Sequence, residues 1–212
     1  MILKIKNVSK KFKDCDVLKD VNMEMSSGKI YGFIGRNGSG KSVLLKIICG
    51  FYYPTNGSVE IDDYNYIEKN EFPKNTRALI EKPSFIPDLT GFENLSLLAS
   101  IQHKITKEDI DKALDEVNLL SEKNKKYSKY SLGMKQKLGI AQVLMENPDL
   151  MIFDEPLNGI EKETADKIRS LLLKKKKEGK LIIIASHIKD DIDGLADIIY
   201  KFEDGSVNKI KR

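Results

Sequence analysis

The segment Gly35-Arg36-Asn37-Gly38-Ser39-Gly40-Lys41-Ser42 holds the residues a phosphate-binding loop needs, and it fits G-x-x-x-x-G-K-[ST] at every position. Glycine permits the tight backbone path that turns successive N–H groups inward toward phosphate oxygens. Lys41 supplies a fixed positive charge to the β- and γ-phosphates, and Ser42 offers a hydroxyl to Mg²⁺. The backbone of Gly35, Asn37, Gly38, Ser39, Gly40 and Val43 is expected to line the same phosphates. The short apolar run Ile30–Ile34 reads as a buried strand before the loop. Helical spacing at Val43, Leu44, Ile47 and Ile48 follows it, so a helix would begin with its positive dipole end at the phosphates. A chance glycine-rich turn would lack that strand–loop–helix setting. ATP is therefore the expected ligand and Mg²⁺ the expected cofactor.

A second site candidate is the acidic pair Asp154-Glu155, after the apolar run Leu150–Phe153. At such a strand end Asp154 is suited to holding Mg²⁺, usually through water. Glu155 is suited to polarising the attacking water as a general base. Adjacent strand residues face opposite ways, so both roles require the chain to leave the strand here, and Pro156 is compatible with that. Alone, such a pair would more often be solvated; the phosphate loop upstream gives it weight.

The elements that must position these groups are legible as an α/β chain. Alternating stretches over Ile2–Val8 and Val17–Met25, joined by a polar turn, read as strands, and Ser58–Ile61 as an edge strand. From Gly91 to about Glu146 no convincing strand is found. Three helical patterns occur there instead, centred on Leu95–Ala99, Ile110–Val117 and Leu138–Met145. The α/β character returns with a strand at Leu150–Phe153, a helix from Glu161 to about Lys177 and the buried strand Leu181–Ala185. Asp204-Gly205 marks a closing hairpin.

The length of 212 residues suits one domain, with 41% hydrophobic and 32% charged residues excluding disorder. A net charge of +4 is too weak to argue for nucleic acid, and none is expected as a partner. Cys15 and Cys49 lack metal-ligand spacing and fit a reduced, intracellular chain as small, partly buried residues. The N-terminus lacks the apolar core of a signal peptide, and no run is long enough to cross a membrane. Any membrane role must run through a partner.

Tyr130-Ser131-Leu132-Gly133-Met134-Lys135-Gln136-Lys137-Leu138 resembles the signature motif of ATP-binding-cassette proteins, and the other motifs follow in the family's order from Ile2 to Ile210. The resemblance implies a P-loop NTPase core with a small antiparallel β-subdomain and an inserted α-helical subdomain. It implies a core over 1–82 and 147–212, and a helical subdomain over 83–146. It implies that Ser131 and Gly133 close over ATP bound to a second nucleotide-binding subunit in a homodimer. Phe12 falls where an aromatic ring stacks on adenine, although Tyr is more usual there. His187 matches the switch histidine that contacts the γ-phosphate. Leu157–Glu161 matches the loop crossing the dimer interface, with Glu161 where the family usually has Asp.

Glu81 stands where most members carry Gln, in the loop joining the core to the helical insertion. A carboxylate here binds a cation more strongly than an amide does, yet repels phosphate. Glu81 is accordingly a candidate Mg²⁺-sensing, coupling and catalytic residue. Phe85–Leu95 and Tyr130–Gln136 are similar to exporters of bacitracin and lantibiotics. Phe85 and Phe92 are expected at a partner-facing surface, because an exposed polar stretch would otherwise hold them. The implied protein is a Mg-dependent, transport-coupled ATPase. It would be cytoplasmic and peripheral on the inner face of the membrane, bound there by a transmembrane permease subunit. The competing reading is a non-transport ATPase of the same type, serving DNA repair or iron–sulfur assembly.

Overall fold

The computed structural model describes residues 1–210 and places two sheets around a shared set of helices. Strands β1 (Ile2–Phe12), β2 (Cys15–Ser26) and β4 (Asn56–Ile61) form an antiparallel sheet in the order β2-β1-β4. Alternation interrupted by register shifts drives it: Leu3, Ile5, Val8, Leu18, Val21, Met23, Met25 and Val59 are all buried, with steps of three at Ile5–Val8 and Leu18–Val21, and most residues between them are exposed or half-exposed.

The second sheet has six strands: β3 (Lys29–Ile34), β5 (Thr76–Leu79), β6 (Leu150–Asp154), β7 (Leu181–Ser186), β8 (Ile198–Glu203) and β9 (Ser206–Ile210). Its order is β5-β6-β7-β3-β8-β9. All neighbours pair parallel except the closing hairpin β8–β9. Parallel strands are buried on both faces, and β6 and β7 are buried at every residue. Leu150, Ile152, Ile183 and Ala185 face α1 (Lys41–Ile48) and the antiparallel sheet. Met151, Phe153, Ile182 and Ile184 face the opposite cluster, with α4 (Leu132–Leu144) and α5 (Lys162–Lys177).

Between β5 and β6 the chain is helical: α2 (Gly91–Gln102), α3 (Lys107–Glu116), two short 3-10 turns and α4. Capping boxes start α2 and α3, with Thr90 and Thr106 accepting from the N–H groups of Glu93 and Asp109. A four-residue helix, α6 (Lys189–Ile192), follows β7. No helix among the described residues is long and apolar enough to cross a membrane.

Two expectations need correction. The sequence pattern stops at Val8, yet β1 runs on to Phe12, because β2 supplies partners as far as Cys15. Cys15 is exposed at that hairpin end, while Cys49 is buried. Phe85 and Phe92 are half-buried against the helical core, Phe85 edge-on to Tyr127 and Phe92 beneath the Lys123 ammonium. The exposed apolar side chains nearby are Ile86, Leu97 and Ile101, which the pattern of aromatics does not single out.

Candidate functional site: the phosphate loop and the adjoining strand ends

In the sheet order, β7 lies between β6 and β3, so the segments leaving these three strands meet at one sheet edge. The glycine-rich loop leaves β3, the acidic pair ends β6, and His187 follows β7. Gly40 caps α1 at φ 102°, a left-handed value, and an added Cβ would lie 2.8 Å from Leu18 and 2.9 Å from the Val17 carbonyl. Only glycine meets both constraints. The same contact brings the start of β2, and with it the β1–β2 hairpin, against the loop.

Lys41 is buried, and its ammonium donates to the carbonyls of Gly35 (2.7 Å) and Arg36 (3.1 Å). Burial pushes its pKa down, partly offset by the Glu155 and Asp154 carboxylates. Ser42 Oγ donates to Asp154 Oδ2 at 2.6 Å. Burial pushes the Asp154 carboxyl above its ordinary range, and the Ser42 hydrogen bond opposes the shift. A hydroxyl and a buried carboxylate oxygen side by side are hard donors of the type Mg²⁺ takes beside nucleotide phosphates. No three His, Cys, Asp or Glu groups cluster as a metal cage among the described residues. The donor set thus fits Mg²⁺ held chiefly by a nucleotide and not a dedicated protein-only site.

Glu155 adopts φ 51°, and this left-handed residue is how the chain leaves the strand. Asp154 closes β6 and stays buried, while Glu155 turns toward β7. Its Oε1 accepts from the His187 backbone N–H (2.9 Å) and lies 2.8 Å from His187 Nδ1. Its Oε2 lies 3.2 Å from Ser186 Oγ, and the same hydroxyl lies 3.1 Å from Asp191. One hydroxyl proton serves one of these carboxylates at a time.

The glycine-rich loop borders a cavity of about 700 Å³ that also takes in His187, Lys189 and the Lys201–Asp204 end of β8. Of the expected site residues, Gly35, Asn37, Gly38, Ser39 and His187 line it; Phe12, Gly40, Lys41, Ser42, Val43, Glu81, Ser131, Gly133, Asp154 and Glu155 do not. Ser131 caps α4, accepting from the Met134 N–H at 3.2 Å. A Cβ on Gly133 would lie 2.7 Å from the Gly159 carbonyl, so the signature loop and the Leu157–Glu161 loop touch within one chain. Phe12 is exposed, edge-on to Tyr52 at 5.6 Å, with Lys10 over its ring. Glu161 sits at the N-cap of α5 without capping it and pairs with Lys137 at 3.0 Å. Asp is the better helix cap; the extra methylene of Glu161 instead spans to α4.

Glu81 sits two residues past β5, which pairs with β6 through Leu79 and Phe153. That register directs the Glu81 loop toward the acidic pair, and the Glu81 charge adds to the upward shift that burial gives Asp154. In this structure the Glu81 carboxylate is held by Lys46 of α1.

Four supporting residues escaped the sequence reading. Gln136 Nε2 donates to the carbonyls of Glu155 (3.0 Å) and Pro156 (3.3 Å), fastening α4 to the acidic loop. Ser186 and Asp191 complete the surroundings of Glu155. Lys46 holds Glu81. Gln136 lay within the quoted signature, and Lys46 lies four residues after Ser42 on one face of a helix. Those spacings were available signals.

This architecture, a phosphate loop on a mixed sheet with a helical insertion ahead of the acidic strand, defines a P-loop nucleotide-hydrolysing protein. The family model for "ABC transporter" matches residues 18–158, and the chain belongs to that family as an ATP-binding and ATP-hydrolysing subunit. It is 39% identical to the bacitracin transport ATP-binding protein BcrA of Enterococcus faecalis over 206 residues, 96% of this chain and 67% of that one. It is 32% identical to the lantibiotic transport ATP-binding protein SrtF of Streptococcus pyogenes, covering 97% of this chain and 89% of the other. Among solved structures it is similar to the cassette MJ0796, described as a dimer in a post-hydrolysis state bound to ADP and Pi. That match has TM-score 0.87 and 25% identity, and covers 99% of each chain.

Proposed function

We propose that this chain is the Mg-dependent ATPase subunit of an exporter or self-protection system for antimicrobial peptides, working as a homodimer on a transmembrane permease. The observation that carries the ATPase part is the meeting of Lys41, Ser42, Asp154, Glu155 and His187 at one sheet edge. The similarity to bacitracin and lantibiotic transport subunits supports the cargo class. A core over 1–82 and 147–212 with a helical subdomain over 83–146 belongs to the same reading.

ATP would lay its phosphates along Gly35–Val43, and Lys41 would trade the Gly35 and Arg36 carbonyls for phosphate oxygens. Ser42 and Asp154 would hold Mg²⁺, which offsets charge on the phosphates when bound. Phe12 would stack on adenine at the tip of the β1–β2 hairpin. Glu155 would orient a water for in-line attack on the γ-phosphorus and take its proton as the bond to the leaving oxygen breaks. His187 would hold Glu155 in place and face the γ-phosphate from β7. Ser131 and Gly133, at the start of α4, would grip the γ-phosphate of a second subunit through that helix N-terminus.

A groove of about 640 Å³ beside the Glu81 loop, edged by Pro83, Phe85, Ile86 and Leu97, supports docking of the permease there. Exposed Ile86 and Leu97 give it an apolar rim. The chain would then sit on the cytoplasmic face of the membrane without entering it. The decisive experiment is co-purification from membranes followed by phosphate-release measurement. A polytopic membrane protein should accompany the wild-type chain, with Mg-dependent ATP hydrolysis that Lys41→Ala abolishes. Hydrolysis without any membrane protein would favour the DNA-repair or iron–sulfur reading.

A further inference from the structure

Glu81 poses an electrostatic problem. It is a carboxylate close enough to Asp154 to perturb it, and Asp154 is itself bonded to Ser42 of the phosphate loop. The Glu81 backbone lies at φ 63°, in the left-handed region that favours glycine. Something must reward that conformation. The side chain is mostly exposed, yet its Oε1 lies 2.5 Å from Lys46 Nζ.

Lys46 is well placed for this and is itself fixed. It lies one turn beyond Ser42 on α1, so two polar pairs run side by side: Ser42 with Asp154 from β6, and Lys46 with Glu81 from the loop after β5. Its ammonium also sits 5.4 Å from the Tyr52 ring centroid, and it is only 20% exposed. Tyr52 in turn meets Phe12. The lysine is therefore held between a ring face and a carboxylate and does not sweep freely through solvent.

We propose that Lys46 is the positioning residue for Glu81, holding its carboxylate against α1 and away from the phosphates until nucleotide and divalent cation arrive together. Lys46 acts as a built-in counter-cation. It neutralises Glu81 while the pocket lacks metal, and it competes with the metal for the same carboxylate. This inference rests on the assignment of ATP to the glycine-rich loop. Two opposed effects follow from losing the lysine. Unmasked Glu81 repels metal-free ATP, and it draws the cation more readily.

The test is equilibrium binding of a fluorescent ATP analogue to the full chain, first with EDTA and then across a Mg²⁺ titration. An exposed ion pair of this kind sets effects of about two- to fivefold. Lys46→Met is expected to weaken metal-free binding by that factor and to lower the half-saturating Mg²⁺ concentration by a similar one. Lys46→Arg should restore both values, and in a Glu81→Gln background Lys46→Met should change neither. Thermal melting checks each variant, and Lys46→Gln replaces the Met variant if that one fails to fold. Equal shifts with and without Glu81, or no shift at all, would overturn the inference while leaving the ATP assignment intact. Failure of the wild-type chain to bind the analogue in any condition would remove the ATP assignment and this inference together.

Discussion

Replacing Gln136 with Leu tests whether α4 holds the acidic loop in working position. Gln136 is buried and gives two hydrogen bonds, to the carbonyls of Glu155 and Pro156. Leu matches its size and offers no donor, so the two carbonyls lose their partner in a dry setting. At about 0.5–1.5 kcal/mol net per bond, the loss is about 1–3 kcal/mol. For a chain of this length that lowers Tm by about 2–12 °C. The fold should survive, because Glu155 N–H still donates to the Ala185 carbonyl at 2.8 Å and ties the loop to β7. The catalytic consequence should be larger than the stability loss. A shift of about 1 Å in the carboxylate can cost about a hundredfold in rate. Differential scanning fluorimetry reads the first quantity and phosphate release the second, with nucleotide binding as the control. A Gln136→Leu chain with unchanged Tm and unchanged turnover would refute the idea that this amide positions Glu155.

Three further outcomes follow from the same geometry. Glu155→Gln keeps acceptors for the His187 contacts, so it should bind ATP normally while hydrolysis falls by about 10²–10⁴, and it should trap a dimer visible by size-exclusion chromatography. Asp154 binds its proton more tightly folded than unfolded, so its contribution favours folding at low pH and is lost as pH rises from its ordinary 3.8 through the raised folded value. Asp154→Asn should accordingly raise the Tm of the nucleotide-free chain at neutral pH, a gain absent below pH 3.8, while Mg-dependent ATP binding is lost. A maleimide should label Cys15 and spare Cys49, whose thiol burial pushes up to about 12; mass spectrometry of the native chain gives the count.

Local chemistry fixed much of this protein in advance. The glycine-rich loop, the acidic pair and the flanking apolar runs are contiguous in sequence, and each carries its structural context within a few residues. The strands β3, β6 and β7 and the helices α1 and α5 are therefore readable from periodicity and punctuation alone. The resemblance to the cassette family rests on another short contiguous segment, Tyr130–Leu138, in order with these.

Tertiary structure decided what lies between those segments. Sequence cannot state that β7 passes between β6 and β3, and it is this order that brings His187 to Glu155. The left-handed backbone at Glu155 and Glu81 was also hidden, because no propensity favours glutamate at positive φ and only surrounding contacts impose it. Phe85 and Phe92 are half-buried because the helical core, with Tyr127 against Phe85, offers them partners absent from their own neighbourhood in the chain. Lys46, Gln136 and Ser186 took their roles through partners 19 to 35 residues away. Burial and hydrogen-bond partners depend on packing across the fold, whereas turn geometry and strand periodicity depend on a few adjacent residues; the first had to be seen, and the second could be read.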